Sequence, residues 1–173
     1  MLDAGGGDIN GNNRELFTDC DYQCNDVVEC PNANIVCFTK DLPFADATFD
    51  TIVSTECFEH DPQYTESWQK IYKLLKPGGL FFFTCASTGR KEHGTKTSYS
   101  ESSYACIGNL PEFCDYYKNL SIEDLHDVLD LRKSFSSFAS YYNKKSADLY
   151  FWGIKSIPHY NEPHVNNLIS TFI

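Results

Sequence analysis

The stretch from Phe49 to Cys85 constrains this chain more than any other. Phe49–Thr55, with Ile52 and Val53 at its centre, reads as a strand buried on both faces. Over 65–75, Trp68, Ile71, Tyr72, Leu74 and Leu75 recur at three-to-four spacing, which predicts a helix with one apolar stripe. Pro77-Gly78-Gly79 is expected to stop that helix, and Leu80–Cys85 reads as a second buried strand. Strand, helix and strand in succession is the pattern of a parallel sheet with crossover helices.

The flanking segments extend the same pattern. Met1–Ala4 reads as the end of a strand, Gly5-Gly6-Gly7 as a tight turn and Asn10–Phe17 as a short helix. Tyr22–Asn25 and Asn34–Phe38 read as two more strands, and Leu42-Pro43-Phe44 opens a loop. The first strand is shorter than the usual run of about five residues, and more of the domain is expected upstream. So few residues part Asp26 from Ile35 that a helical crossover, normally about a dozen residues or more, does not fit. An irregular connection and a thinly covered sheet edge are expected there. Downstream, 89–108 is polar and reads as a long loop. Ser121 with Asp124 forms a capping-box start to a helix through Leu125, Val128, Leu129 and Leu131. Lys133–Tyr142 and Asp148–Ile154 read as an antiparallel hairpin at the sheet edge, turning at 143–146.

At 173 residues the chain suits a single domain over 1–173, with its core in 1–155 and a tail over 156–173. It has no apolar run of about 20 residues, and its N-terminus lacks the basic and apolar regions of a signal peptide. A soluble cytoplasmic protein is expected, with no membrane partner. Net charge is -10 and the pI about 4.8, so the surface repels phosphate backbones. That argues only against a nucleic-acid partner; a small, neutral or cationic acceptor is a separate expectation. Arg90-Lys91 and Lys144-Lys145 read as solvated surface. None of the eight cysteines forms a C-x-x-C pair, and Cys20, Cys24 and Cys30 are not at a usual zinc spacing. They read as reduced, mostly buried thiols, and no metal site is expected.

Chemistry is carried first by Asp3-Ala4-Gly5-Gly6-Gly7, an acidic residue at a strand end followed by a turn that admits a ligand close to the backbone. Asp26 lies about 20 residues further on, where nucleotide-binding sheets place a carboxylate for a ribose diol; Asp19 and Asp21 compete for that assignment. Three further segments follow: Asp41-Leu42-Pro43-Phe44 with Phe49-Asp50, then Ser54 to His60 (STECFEH), then Leu74 to Leu80 (LLKPGGL).

Taken in order, these five segments resemble the class I S-adenosylmethionine-dependent methyltransferases, in particular the small methyltransferase-domain group that includes quinone-biosynthesis enzymes. The resemblance is close over about residues 2–95. It is weaker to 154, where 116–121 and 148–153 still match. It implies a Rossmann-like, doubly wound, mostly parallel seven-stranded sheet with an antiparallel last strand, and S-adenosyl-L-methionine lying across the carboxyl ends of the first strands. Asp3, Ala4, Gly5 and Gly7 match the motif around the methionine part. Asp26, with Val27 beside it, matches the ribose-holding carboxylate. Asp41 and Leu42 match the stretch past the adenine, and Thr55 and Glu56 the segment beneath the cofactor. Two departures stand out. Phe38 occupies a position that is often acidic and contacts the adenine amine, which points to stacking and backbone contacts instead. The helix that usually precedes the first strand is also absent.

The implied reaction is in-line methyl transfer to an unidentified, small-molecule acceptor, where orientation does most of the work. If the acceptor must lose a proton, His60, His93 and Glu59 are candidate bases; a turn-capping role for His60 is the bland alternative. Tyr99, Tyr104, Tyr116 and Tyr117 are candidates for a substrate wall. A nicotinamide-dependent dehydrogenase fits poorly, because Asn10 stands where the third fingerprint glycine belongs. A methyltransferase-like binding module without activity is the second alternative.

Overall fold

The computed structural model describes residues 1–158. The sheet has seven strands: β1 Leu2–Ala4, β2 Gln23–Asp26, β3 Ile35–Val36, β4 Phe49–Thr55, β5 Leu75–Ala86, β6 Phe135–Asn143 and β7 Asp148–Lys155. Their order is β3-β2-β1-β4-β5-β7-β6. Neighbours from β3 through β5 pair in parallel, while β7 runs antiparallel to both β5 and β6. This is the Rossmann-like, mostly parallel sheet with an antiparallel last strand that the family resemblance implied. The strand order reverses beside β1, and sheets of this kind bind ligands at the carboxyl ends of the strands flanking such a point. The part of the proposed tail beyond Pro158 lies outside the described residues.

Helix α1, Tyr64–Leu74, buries Trp68, Ile71 and Leu74 against the sheet face that carries Phe81, Phe83 and Phe151. Rings here meet mainly edge to face, as with Phe58 against Trp68 at 5.5 Å and against Phe83 at 5.4 Å, an arrangement aromatic quadrupoles favour. On the other face of the sheet Trp152, paired with Phe82 across β5 and β7, is 39% exposed.

Several local expectations are corrected. In place of a helix over 10–17 there is one 3-10 turn, Arg14–Leu16. Asp8 accepts hydrogen bonds from Gly11 N at 3.0 Å and Asn12 Nδ2 at 2.6 Å, and such local bonds compete with helix formation. Pro77-Gly78-Gly79 does not stop α1, which ends at Leu74. These residues form an irregularity inside β5, whose register against β4 shifts between the Phe49 and Thr51 pairs. The third strand shrinks to Ile35–Val36, reached by an irregular connection as expected. The 89–108 loop contains a 3-10 turn at Ser100–Ser102 and α2, Tyr104–Ile107; α3, Pro111–Cys114, follows. The helix opened by the Ser121–Asp124 capping box ends early. It is α4, Ile122–Val128, and Asp130 caps a separate α5, Leu131–Ser134, by accepting from Lys133 N. All eight cysteines are free thiols; Cys24, Cys85 and Cys114 are buried and Cys20 is exposed.

Candidate cofactor cleft

A cleft of about 570 Å³ opens at the carboxyl ends of β1, β2 and β4. This is within the ordinary range for small-molecule sites, about 300–1,000 Å³. Its floor is the turn after β1. Gly5 has φ +68°, and a Cβ there would fall 2.0 Å from Cys57 Sγ, so a side chain is excluded on both counts. Gly7 donates its N–H to Asp26 Oδ2 at 3.0 Å, and Val27 N donates to Asp26 Oδ1 at 2.7 Å. A Cβ on Gly7 would fall 2.5 Å from Asp26 Oδ2 and 2.6 Å from the Tyr104 ring. The turn is thereby locked to the carboxylate at the end of β2. Burial raises the pKa of Asp26, and the two N–H donors oppose that rise.

Asp3 is buried beneath the turn, where Tyr22 Oη and Asn13 Nδ2 donate to it. Burial raises its pKa and these donors pull it back. Asn13 also reaches Thr55 Oγ1 at 3.2 Å, tying the ends of β1 and β4 together. One wall comes from the segment after β5: Tyr104 donates its hydroxyl to Asp8 O at 2.7 Å, and Tyr99 lines the cleft nearby. Phe38, with Thr39, also lines the cleft and stacks face to face on Phe113, centroids 5.1 Å apart.

Of the sequence candidates, Asp3, Gly5, Gly7, Asp26, Val27, Thr55, Glu56, His60 and His93 all line this cleft. Three do not. Ala4 is wholly buried in the sheet, and Leu42 is packed in the core at 1% exposure. Asp41 pairs with Lys40 at 3.0 Å on the surface. The 3-10 turn Thr39–Asp41 carries its last residue and Leu42 away, so Phe38 and Thr39 are what reach the cleft. Arg90 corrects the solvated-surface reading: its Nη1 donates to Asp148 Oδ1 at 2.6 Å and to Ser146 O at 3.0 Å while it lines the cleft. The reading missed Asn13 and Phe113, because neither carries a local motif. Of the four tyrosines, Tyr99 and Tyr104 line the cleft. Tyr117 instead packs behind it, on His60 at 5.5 Å and on His93 at 5.2 Å.

The two histidines stand together, ring centroids 5.0 Å apart and nearly perpendicular. Burial, with His93 adding to it, pushes the pKa of His60 down to about 3. His60 is therefore neutral at physiological pH and too weak a base to take a proton efficiently. Behind it lies Glu59, fully buried, and burial followed by the Glu56 charge raises its pKa to about 8.

The donor set fits a nucleoside sulfonium. A carboxylate offers about four lone-pair sites and Asp26 uses two on the backbone, which leaves acceptors for a ribose diol. The bare Gly5–Gly7 backbone admits a ligand closely. Asp3, Asp26 and Glu56 give the cleft an acidic side suited to a cation, and Phe38 offers a ring face.

Residues 6–83 match the family model described as a methyltransferase domain. Phosphoethanolamine N-methyltransferase 2 of Caenorhabditis elegans is 35% identical over 74 residues, 42% of this chain and 17% of that protein. Among solved structures, Burkholderia thailandensis 1,6-didemethyltoxoflavin-N1-methyltransferase, with S-adenosylhomocysteine bound, aligns with a TM-score of 0.59 at 17% identity, covering 90% of this chain and 71% of that one. Haemonchus contortus phosphoethanolamine N-methyltransferase 2, with phosphomonomethylethanolamine and S-adenosylhomocysteine, aligns with a TM-score of 0.59 at 16% identity, covering 91% of this chain and 48% of that one. The structural likenesses establish the fold. This chain spans only 17% of the length of the curated relative and under half of the Haemonchus enzyme.

Proposed function

Starting from a chain that has the class I S-adenosylmethionine-dependent methyltransferase fold and matches the methyltransferase-domain family over residues 6–83, we propose that it transfers a methyl group from S-adenosyl-L-methionine to a small-molecule acceptor. One observation carries the reading. The Gly7 N–H to Asp26 Oδ2 bond joins the glycine turn and the acidic strand end into one cradle, at the point where the strand order reverses. When bound, the cofactor supplies an electrophilic methyl on sulfur and leaves as a neutral thioether.

The chain's own part is positioning. Asp26 holds the ribose, with Val27 N–H fixing the carboxylate. Gly5 and Gly7 let the methionine part approach the backbone, over Asp3. Phe38 and Thr39 take over the adenine wall. Thr55 and Glu56 floor the cofactor after β4, and the acceptor enters on the side of His60 and His93. Holding nucleophile and methyl in line, with Tyr104 walling the cleft, is the main catalytic contribution. The reading includes a cytoplasmic location, supported by eight free thiols and by the lack, among the described residues, of any helix long and apolar enough to cross a membrane.

Calorimetric titration with S-adenosylhomocysteine tests it. Micromolar binding is expected for the protein and a loss of at least about tenfold for Asp26→Ala, which removes the ribose acceptor. Equal affinity in the two proteins would falsify the cradle. Turnover is then measured against an acceptor panel that includes phosphoethanolamine, the acceptor named for the relative with the 35% match.

A further inference from the structure

Methyl transfer gives no reason for a wholly buried carboxyl group beside the cleft. Glu59 is fully buried, and neither carboxylate oxygen has a hydrogen-bond partner. The backbone of Glu59 and of Ala86 lies close enough to lower the carboxyl pKa, and burial outweighs both. Nδ1 of the adjoining His60 is likewise buried and unpartnered. A buried carboxylate in such surroundings is tolerated when it is neutralised or when it meets a cation. His60 and His93 are the groups beside it, and one ligand-type atom from each of the three lies within 4.8 Å of the other two.

We propose that Glu59, His60 and His93 form a binding site for a divalent first-row transition-metal ion, with its free coordination position facing the cleft and open to an oxygen-donor ligand. The donor set is two imidazoles and one carboxylate, which suits such ions better than magnesium or calcium. Three protein ligands with one position left open is the arrangement of metal sites that act on bound molecules. Glu59 lies behind the cleft wall while His60 and His93 stand in it, so protein closes one side of the ion and the cleft the other. His93 has the outer support such ligands need. Its Nδ1 lies 3.1 Å from Lys91 O, which can accept its proton and leave Nε2 to bind. Tyr117 packs on both rings, and its hydroxyl donates to the same carbonyl at 3.2 Å. Tetrahedral ligands about 2.1 Å from an ion stand about 3.4 Å apart; rotation of the His93 ring, on the outer side, closes the set. The use of the site to hold a methyl acceptor rests on the function proposed above, whereas the ion binding does not.

The test uses Co2+, whose visible spectrum separates nitrogen and oxygen ligands from thiolates, so the eight cysteines cannot be mistaken for the site. One equivalent should bind the purified protein with a nitrogen–oxygen spectrum. Glu59→Gln and His93→Ala should each weaken it at least about tenfold, with circular dichroism checking that both remain folded. Asp26→Ala should keep Co2+ binding while losing S-adenosylhomocysteine, and Glu59→Gln should do the reverse, so failure of either site is distinguishable. Adding catechol, a bidentate oxygen donor, should shift the spectrum of the bound ion. Absence of binding, a thiolate spectrum, or affinity unchanged in both site variants overturns the site. An unshifted spectrum with catechol overturns the open position.

Discussion

At the scale of single residues, the cleft depends on how little room there is around the glycine turn. Gly7 is the sharpest case, since a methyl group there points at both the Asp26 carboxylate and the Tyr104 ring. Gly7→Ala should weaken S-adenosylhomocysteine at least about tenfold by displacing the carboxylate, read by calorimetry. Gly5→Ala meets the Cys57 sulfur and a positive φ, and the backbone strain alone costs about 1–3 kcal/mol. Its loss should therefore appear in chemical denaturation as lower stability. The identities of Gly5, Gly7 and Asp26 were legible in the sequence because the turn and the acidic residue about 20 positions on form a local motif. Phe113 was not, because its partner Phe38 lies on the far side of the sheet order and only folding stacks the two rings.

At the scale of elements, caps and breaks decide what periodicity leaves open. The Ser121–Asp124 box was readable from four residues and starts α4 as expected. Burial pushes the Asp124 carboxyl up, but bonds from Lys118 Nζ at 2.6 Å and from Ser121 outweigh it and leave the group below its ordinary 3.8. A carboxylate with a lowered folded pKa contributes stability above its unfolded value and loses it as pH falls through the folded one. Asp124→Ala should thus cost about 1–2 kcal/mol at neutral pH. In urea titrations the gap to the parent protein should narrow below pH 3.8. The helix expected over 10–17 failed for the opposite reason: Asp8 offers the backbone a better local partner than the next turn of helix.

At the scale of the whole molecule, one aromatic layer joins α1 to the sheet. Trp68 is fully buried between Tyr64, Phe58 and Phe83. Trp68→Ala should cost about 3–5 kcal/mol, a large share of a total stability of about 5–15 kcal/mol. It should be measured as a fall in the denaturation midpoint. Because α1 lies directly after the Glu59–His60 segment, the same substitution should also loosen the cleft wall.

The family resemblance implied the seven-stranded sheet; the sequence by itself determined the alternation of strands and helices, the strands from β4 to β7 and the glycine turn with its acidic partner Asp26, because hydrophobic period, turn chemistry and capping are local properties. The terminal hairpin was legible for the same reason: two apolar-rich runs are separated by a short polar turn, and they pair as β6 and β7. Tertiary structure alone decided that Leu42 packs in the core while Phe38 lines the cleft, and that Arg90 turns inward to Asp148. It also brought His93, after β5, against Glu59 and His60, after β4. β4 and β5 are parallel neighbours, so the residues that follow them emerge side by side however much chain lies between. No pattern along the sequence encodes which of those residues will meet.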